Sequence, residues 1–151
     1  EDLAFVRNAT EGVNSVLRSF ELEAGDRVVI TSHGYNACNN AARYVAERAG
    51  AEVSVAEIPF PIEDPAEAVA AIAAACCERT RLLLVDHVTS PTGLILPVED
   101  IVRTVRASSR RWLPCAPQCT ERGHPPAHPP TKRSTIQRVV VKERSYKQPP
   151  A

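Results

Sequence analysis

Apolar positions in the first 108 residues alternate between strand-like and helix-like patterns. Short apolar runs at 27–31 and 82–87, and a loosely alternating segment at 51–58, predict three strands. Residues 5–22, 36–49, 64–77 and 97–107 predict helices, from apolar spacings of three and four or from helix-start signals. The resulting order is helix, strand, helix, strand, helix, strand, helix. Such alternation indicates an α/β domain with a parallel sheet covered on both faces.

Polar residues and a glycine mark the ends of these helices. Asn8 and Thr10 are both plausible caps of the first helix. Asp64 with Glu67 three positions later predicts a capping box, and Gly50 follows the second helix as a stop. The spacing in the second helix predicts an inner face made of Ala37, Ala41, Tyr44, Val45 and Ala49.

Polar residues also follow the first and third strands. His33 comes directly after the first strand, and a turn from His87 to Gly93 follows the third. Right-handed crossovers bring the carboxyl ends of parallel strands to one edge, so these groups should lie along the same edge. His33 could stack on a flat cofactor, act as an acid or base, or bond to backbone. His87 suits a structural role, and Ser90 either contacts a ligand or belongs to an ordinary tight turn.

The first helix begins with the small residues of Asn8-Ala9-Thr10-Glu11-Gly12. Unpaired N–H groups and the helix dipole can hold a phosphate at such a start. The same residues also fit an ordinary capped helix with no ligand. The pattern therefore predicts a candidate anion site without deciding between the two readings.

Charge and proline content change near residue 109. Residues 1–102 contain 16 acidic and 7 basic residues, whereas 103–151 contain 2 acidic and 11 basic residues. Eight of the 13 prolines lie after residue 112, where no helical or strand period continues. We therefore predict a domain over 1–109 and a mostly disordered tail over 110–151, with one apolar island at 136–141.

Several function classes find little support in the sequence. No apolar run reaches the roughly 18 residues of a membrane span, and no GxGxxG follows a strand. Cys115, Cys119, His124 and His128 are zinc-capable, but their spacing is too short for a finger, so we predict no metal site. The basic tail lacks interleaved aromatic residues and predicts only non-specific contact with nucleic acid. Five cysteines, an odd number, favour a reducing, cytoplasmic setting.

Four stretches, taken together, resemble the class V aminotransferase family of pyridoxal-phosphate (PLP) enzymes. They are Arg7–Asn14, Ser32–Ala37, Tyr44–Gly50 and Asp86–Val98, and the similarity covers about residues 4–108. The isopenicillin N epimerase-like branch is the nearest in appearance, and cysteine desulfurases are wider relatives. The resemblance implies part of a three-layer α/β/α large domain of PLP fold type I, with mostly parallel strands. It also implies PLP as cofactor and amino acids as substrates.

The resemblance further implies roles for four residues of the chain. The backbone N–H groups of Ala9 and Thr10, with the Thr10 hydroxyl, would hold the cofactor phosphate, in agreement with the helix-start argument. His33 would stack on the pyridine ring. Ser90 stands where relatives carry a polar residue near the phenolic oxygen of the cofactor or near the substrate.

The chain departs from the family after Ala107. Family members continue with a strand that supplies an Asp partner for the pyridinium nitrogen, and later with the lysine that forms the Schiff base. Neither is found here, and Lys132, Lys142 and Lys147 receive no catalytic role. Because the chain begins at Glu1 and contains no methionine, we expect a processed product or a fragment. The switch in charge and proline content at the point where the resemblance ends suggests a shifted reading frame or an alternative splice, and without the lysine and the Asp we expect the chain to be inactive alone. The alternative is a non-enzymatic module that associates with a full-length family member, since family members pair their large domains as dimers.

Overall fold

The computed structural model describes residues 5–108 and 137–141 of the 151-residue chain, with side chains for 5–107. Its helices are α1 (Ala9–Ser19), α2 (Asn36–Ala49), α3 (Pro65–Ala75) and α4 (Val98–Ser108), and its strands are β1 (Arg27–Thr31), β2 (Glu52–Ala56), β3 (Thr80–Asp86) and β4 (Gln137–Val141). The predicted alternation of helices and strands over the first 108 residues is confirmed. No helix in the described part has the length and apolar character needed to cross a membrane.

The four strands form one sheet in the order β2-β1-β3-β4. Strand β1 lies in the middle and is parallel to both neighbours, with Val29 opposite Ser54 of β2 and opposite Leu83 of β3. The predicted parallel sheet is therefore present. Since the crossovers between these strands are the helices α2 and α3, all three strands end at the same edge of the sheet.

Strand β4 completes the other side of β3 in the antiparallel direction. Its register places Val139 opposite Leu84. The apolar island predicted at 136–141 thus contributes a strand, and the described strands remain mostly parallel. The prediction of disorder for the remaining tail residues, 110–136 and 142–151, lies outside the described residues.

Two hydrophobic clusters cover the two faces of the sheet, as the apolar pattern predicts. The cluster under α1 and α2 contains Val13, Leu17, Val28, Ile30, Cys38, Ala42, Ala46, Leu82 and Leu84. The cluster under α3 and α4 contains Val29, Ala56, Ile58, Ala68, Ile72, Leu83, Val85, Leu96, Val98, Ile101 and Val105. Successive residues of β1 alternate between these clusters, because side chains along a strand point to opposite faces.

The inner face predicted for α2 is wrong by one position. Cys38, Ala42 and Ala46 are buried, whereas Ala37 is exposed and the Tyr44 residue is 54% exposed. The other predicted members, Ala41, Val45 and Ala49, are only partly buried. The shift has a physical reason, the hydrogen bond of a buried polar side chain. Asn39 lies on the buried face because its side-chain amide donates to the Thr31 carbonyl at 3.0 Å, and the Tyr44 ring instead lies under the Arg48 guanidinium at the surface.

The caps of α1 and α3 follow the sequence signals. The Asn8 side chain accepts a hydrogen bond from the N–H of Glu11 at 2.9 Å, so Asn8 is the cap of α1 and Thr10 is inside the helix. Asp64 caps α3 by accepting from the Ala66 N–H at 2.8 Å, and the Glu67 carboxylate accepts from the Asp64 N–H at 2.9 Å. The predicted capping box is confirmed.

Replacing Asp64 with alanine is expected to lower the free energy of unfolding by about 0.5–2 kcal/mol, because the first N–H groups of α3 lose their acceptor. Urea denaturation followed by circular dichroism measures the change. Glu63→Ala is the matched control, since it removes an exposed carboxylate one position earlier and keeps the cap. Equal losses in the two variants would contradict a capping role for Asp64.

Candidate functional site at the carboxyl edge of the sheet

The segments that follow β1, β2 and β3 meet at the carboxyl edge of the sheet. His33 follows β1, Ile58 follows β2, and Thr92 belongs to the turn after β3. The His33 imidazole contacts both of the other segments: Nε2 is 3.0 Å from the Ile58 carbonyl oxygen, and Nδ1 is 3.4 Å from the Thr92 hydroxyl. The prediction that His33 and the turn after the third strand share one edge is confirmed.

Both nitrogens of the half-buried His33 ring are therefore engaged in hydrogen bonds. A carbonyl oxygen can only accept, so Nε2 carries a hydrogen and donates it to Ile58. The Phe60 ring is tilted by 52° to the imidazole, with the centroids 5.8 Å apart. An imidazole held through both nitrogens keeps one ring orientation, which a stacking role requires. The backbone-bonded histidine foreseen from the sequence and a stacking histidine are thus compatible.

The loop that carries His33 is tied to all three parallel strands. The Ser32 hydroxyl accepts from the Ile58 N–H at 3.0 Å, and the Asp86 carboxylate accepts from the Tyr35 N–H at 2.8 Å. Gly34 allows the loop to lie against α2, because a Cβ at this position would come within 2.7 Å of the Asn39 side-chain oxygen. The position of the His33 loop is consequently fixed by contacts from the segment after β2, from β3 and from α2.

A network of hydroxyl groups holds the turn after β3. The Thr89 and Thr92 hydroxyl oxygens are 2.8 Å apart, and the Leu94 N–H donates to the Thr89 hydroxyl at 2.8 Å. Gly93 has a φ of 67°, which favours glycine at this position of the turn. The Ser90 side chain is exposed, and no hydrogen bond within the described part of the chain occupies its hydroxyl. Ser90 therefore lies next to the network without belonging to it.

The start of α1 has the features of an anion site. Ala9 and Thr10 occupy its first two positions, where backbone N–H groups have no acceptor within the helix. Since α1 leads through a short connection into β1 and packs against it, its N-terminus faces the edge at which the strands end. No hydrogen bond between described residues joins Ala9 or Thr10 to His33 or Ser90. The structure thus groups His33 with the turn that contains Ser90 and leaves the α1 start as a separate element.

Charge at the α1 start is balanced within the helix turn. The Glu11 carboxylate is 3.2 Å from the Arg7 guanidinium nitrogen Nε, and hydrogen bonds from the Arg7 side chain and backbone hold the pKa of Glu11 below its ordinary value. Glu11 is consequently ionised at neutral pH, with its charge compensated by Arg7. An anion at the Ala9 and Thr10 N–H groups therefore does not face an uncompensated negative charge.

Sequence reasoning missed two residues of this edge. The sequence motif of the third strand and its turn includes Asp86 and Thr92 but predicts no individual role for either. Asp86 carried a usable signal, because a carboxylate that ends a buried apolar strand needs a donor. Thr92 carried no comparable signal, because threonine is common in tight turns. The candidate metal ligands Cys115, Cys119, His124 and His128 lie outside the described residues; within those residues no cluster of three metal-binding side chains occurs.

Sequence comparison assigns this arrangement to a known family. The profile described as aminotransferase class V matches residues 1–113. Isopenicillin N epimerase of Streptomyces clavuligerus is 39% identical over 105 residues, covering 70% of this chain and 26% of the relative. A cysteine desulfurase of Cronobacter sakazakii is 35% identical over 116 residues, covering 75% of this chain and 28% of the relative. The chain therefore spans about a quarter of the length of these curated relatives.

Solved structures share the fold. C-DES, determined with glycine covalently linked to its PLP cofactor, superposes with a TM-score of 0.61 at 24% identity, over 68% of this chain and 26% of C-DES. The Escherichia coli cysteine desulfurase CsdA gives a TM-score of 0.59 at 19% identity over the same shares of the two chains. At these identities the likeness concerns the fold, and it confirms a partial α/β domain of PLP fold type I. The profile match over residues 1–113 and this likeness in fold agree, and the chain belongs to the class V aminotransferase family.

Proposed function

We propose that residues 5–108 are the N-terminal part of a PLP-binding large domain, and that the carboxyl edge of its sheet receives the cofactor. The observation that carries the proposal is the His33 imidazole, which is held at this edge through both nitrogens by Ile58 and Thr92. A planar pyridine ring is a suitable stacking partner for an imidazole held in one orientation. Bound PLP supplies an electron sink for chemistry at the α-carbon of an amino acid.

Different groups of the chain would bind different parts of the cofactor. The N–H groups of Ala9 and Thr10 and the Thr10 hydroxyl would hold the phosphate, supported by their position at the start of α1 and by the charge compensation between Arg7 and Glu11. His33 would orient the ring by stacking. The exposed Ser90 hydroxyl, two positions before Thr92, would be available to a polar atom of the cofactor or substrate.

We infer an amino-acid substrate and, for the complete protein, one of the family reactions: amino-group transfer, epimerisation or sulfur removal. This chain alone is proposed to be inactive. The relatives are about four times longer than the matched region, and no lysine occurs among residues 5–108. A cytoplasmic location is proposed from the cysteine content alone.

Titration with pyridoxamine 5′-phosphate tests the binding role directly. This probe has no aldehyde and cannot bond to the tail lysines, so any binding is non-covalent. In ¹H–¹⁵N spectra of the full chain we expect the amide signals of Ala9 and Thr10 and the ring signals of His33 to move. Thr10→Val is expected to weaken binding about tenfold, because one hydrogen bond to a charged group is worth about 1.4 kcal/mol or more.

Ser15→Ala is the matched control, since its hydroxyl lies on the same helix and bonds to the Glu11 carbonyl, away from the helix start. Pyridoxamine without the phosphate should bind much more weakly than the phosphorylated probe. Equal affinities for the two probes, or unchanged signals at Ala9, Thr10 and His33 at saturation, would contradict the proposed site.

The exposed apolar groups of this edge favour a second candidate function, association with a full-length family member. Phe5 is 94% exposed, Ile95 is 74% exposed, and Phe60 is 60% exposed. Such side chains are common at protein interfaces. Co-expression with a full-length relative, followed by affinity purification of this chain, should recover the relative if this function holds.

An absorbance spectrum taken after purification with PLP distinguishes both proposed functions from that of an active enzyme. Absorbance near 400–430 nm, the range expected for a family member with its lysine bonded to the cofactor, should be lacking in this chain. A band of this kind that disappears with borohydride and maps to Lys132, Lys142 or Lys147 would overturn the proposed inactivity.

A further inference from the structure

We propose that Thr92, supported by Thr89, is the positioning residue of His33: a two-hydroxyl chain fixes the imidazole through its Nδ1 atom. The three groups lie in series, with 2.8 Å between the Thr89 and Thr92 hydroxyl oxygens and 3.4 Å between the Thr92 oxygen and Nδ1. Thr89 is buried, and Thr92 and His33 are half-buried. This hydrogen-bonded series joins the turn after β3 to the loop after β1, since Thr92 and His33 are 59 positions apart in the sequence.

The positions of the hydrogens follow from the fixed ends of this series. One end is the Leu94 N–H, which can only donate, and it does so to the Thr89 hydroxyl. The other end is the Ile58 carbonyl, which can only accept, and it receives the hydrogen of His33 Nε2. In the neutral ring Nδ1 then has a lone pair, so Thr92 donates to it and Thr89 donates to Thr92. Every donor and acceptor between Leu94 and Ile58 is satisfied in this arrangement.

The same series can also run in the opposite direction. If His33 carries hydrogens on both nitrogens, Nδ1 donates to Thr92, Thr92 donates to Thr89, and Thr89 donates to the Leu94 carbonyl, which lies 3.4 Å away. The first contacts of the ring are uncharged in both cases: the Ile58 carbonyl, the Thr92 hydroxyl and the Phe60 ring. The ring is therefore held in one orientation in either state, because each hydroxyl can reverse its role.

The functional meaning of this geometry rests on the proposed function. A stacking imidazole must present its face at a constant angle, and the angle is set where the two nitrogens are held, at Ile58 on one side and Thr92 on the other. Ser90 belongs to the same turn but points into solvent and takes no part in the series. The turn after β3 would thus supply two distinct functions: Ser90 is available to the ligand, and Thr92 orients the histidine behind it.

Ring nitrogen NMR of the full chain without cofactor tests the inference. Long-range ¹H–¹⁵N spectra are recorded at a series of alkaline pH values, and the comparison uses the range in which the spectrum no longer changes with pH. His33→Gln identifies the signals. We expect the Nε2–H tautomer with a hydrogen-bonded Nδ1 in the wild-type chain. In Thr92→Val the Nδ1 resonance should move downfield, towards the position of an unbonded ring nitrogen, whereas Thr92→Ser should restore the wild-type position.

Ser90→Ala is the matched control, and it should leave both His33 nitrogen resonances unchanged. If Thr92→Val lost the dispersed spectrum of a folded chain, Thr92→Ala would carry the same comparison without added bulk. An unmoved Nδ1 resonance in the folded variant, or a Thr92→Ser spectrum like that of Thr92→Val, would overturn the inference. Because no cofactor is present, failure here is distinct from failure of the pyridoxamine phosphate titration.

Discussion

Replacing Leu83 with alanine is expected to lower the free energy of unfolding by about 2–5 kcal/mol, the range found when a buried leucine leaves a cavity. Leu83 is fully buried near the middle of β3. It belongs to the cluster that joins the sheet to α3 and α4 and lies beside Val29 of the central strand. Small domains are stable by only about 5–15 kcal/mol, so this loss removes a large part of the total. Urea denaturation followed by circular dichroism gives the value.

Ile95→Ala is the matched control for Leu83→Ala. Ile95 is 74% exposed, and its truncation should change the free energy of unfolding by less than about 0.5 kcal/mol. Similar losses in the two variants would mean that β3 is not the packed centre of the domain described above.

Replacing Asp86 with alanine is expected to lower the free energy of unfolding by about 1.5–3 kcal/mol, the range for a hydrogen bond to a charged group. The Asp86 side chain is buried and accepts the Tyr35 N–H at 2.8 Å. Its removal leaves that N–H without its acceptor and releases one of the ties on the His33 loop. Denaturation measures the stability, and hydrogen exchange of the 32–36 amides measures the loop.

Asp100→Ala provides the comparison, because Asp100 is an exposed carboxylate paired with Arg103 at 2.7 Å, and such surface pairs contribute about 0–1 kcal/mol. We expect faster exchange at 32–36 only in Asp86→Ala. A destabilised Asp86→Ala variant with unchanged exchange in the loop would assign Asp86 to the core and contradict its role in holding the loop.

The part of the fold that the sequence could predict rests on local signals. Element order, the α3 capping box and the Gly50 stop each depend on residues a few positions apart, where propensity and periodicity act directly. The meeting of His33 with the turn after β3 was also predictable, because handedness determines where parallel strands end. For these features, short-range patterns and one topological rule were sufficient.

The rest depended on contacts between residues distant in sequence. The inner face of α2 was misjudged because Asn39, a polar residue, is buried to bond the Thr31 carbonyl. The pairing of Asp86 with Tyr35 spans 51 residues, and that of Thr92 with His33 spans 59. Neither pair carries a mark in the sequence that identifies its partner, so polar specificity at the edge was visible only in the folded chain.

The same separations have a consequence for the order in which a nascent chain completes this edge. The Ile58 contact becomes possible 25 residues after His33 has been synthesised, the Asp86 contact follows the later emergence of β3, and the Thr92 contact needs 59 residues beyond His33. At about 5–20 residues per second, His33 waits roughly 3–12 s for its last anchor. During translation the Nε2 contact of the imidazole therefore becomes possible before the Nδ1 contact, and helix α4 and strand β4 are synthesised only after both.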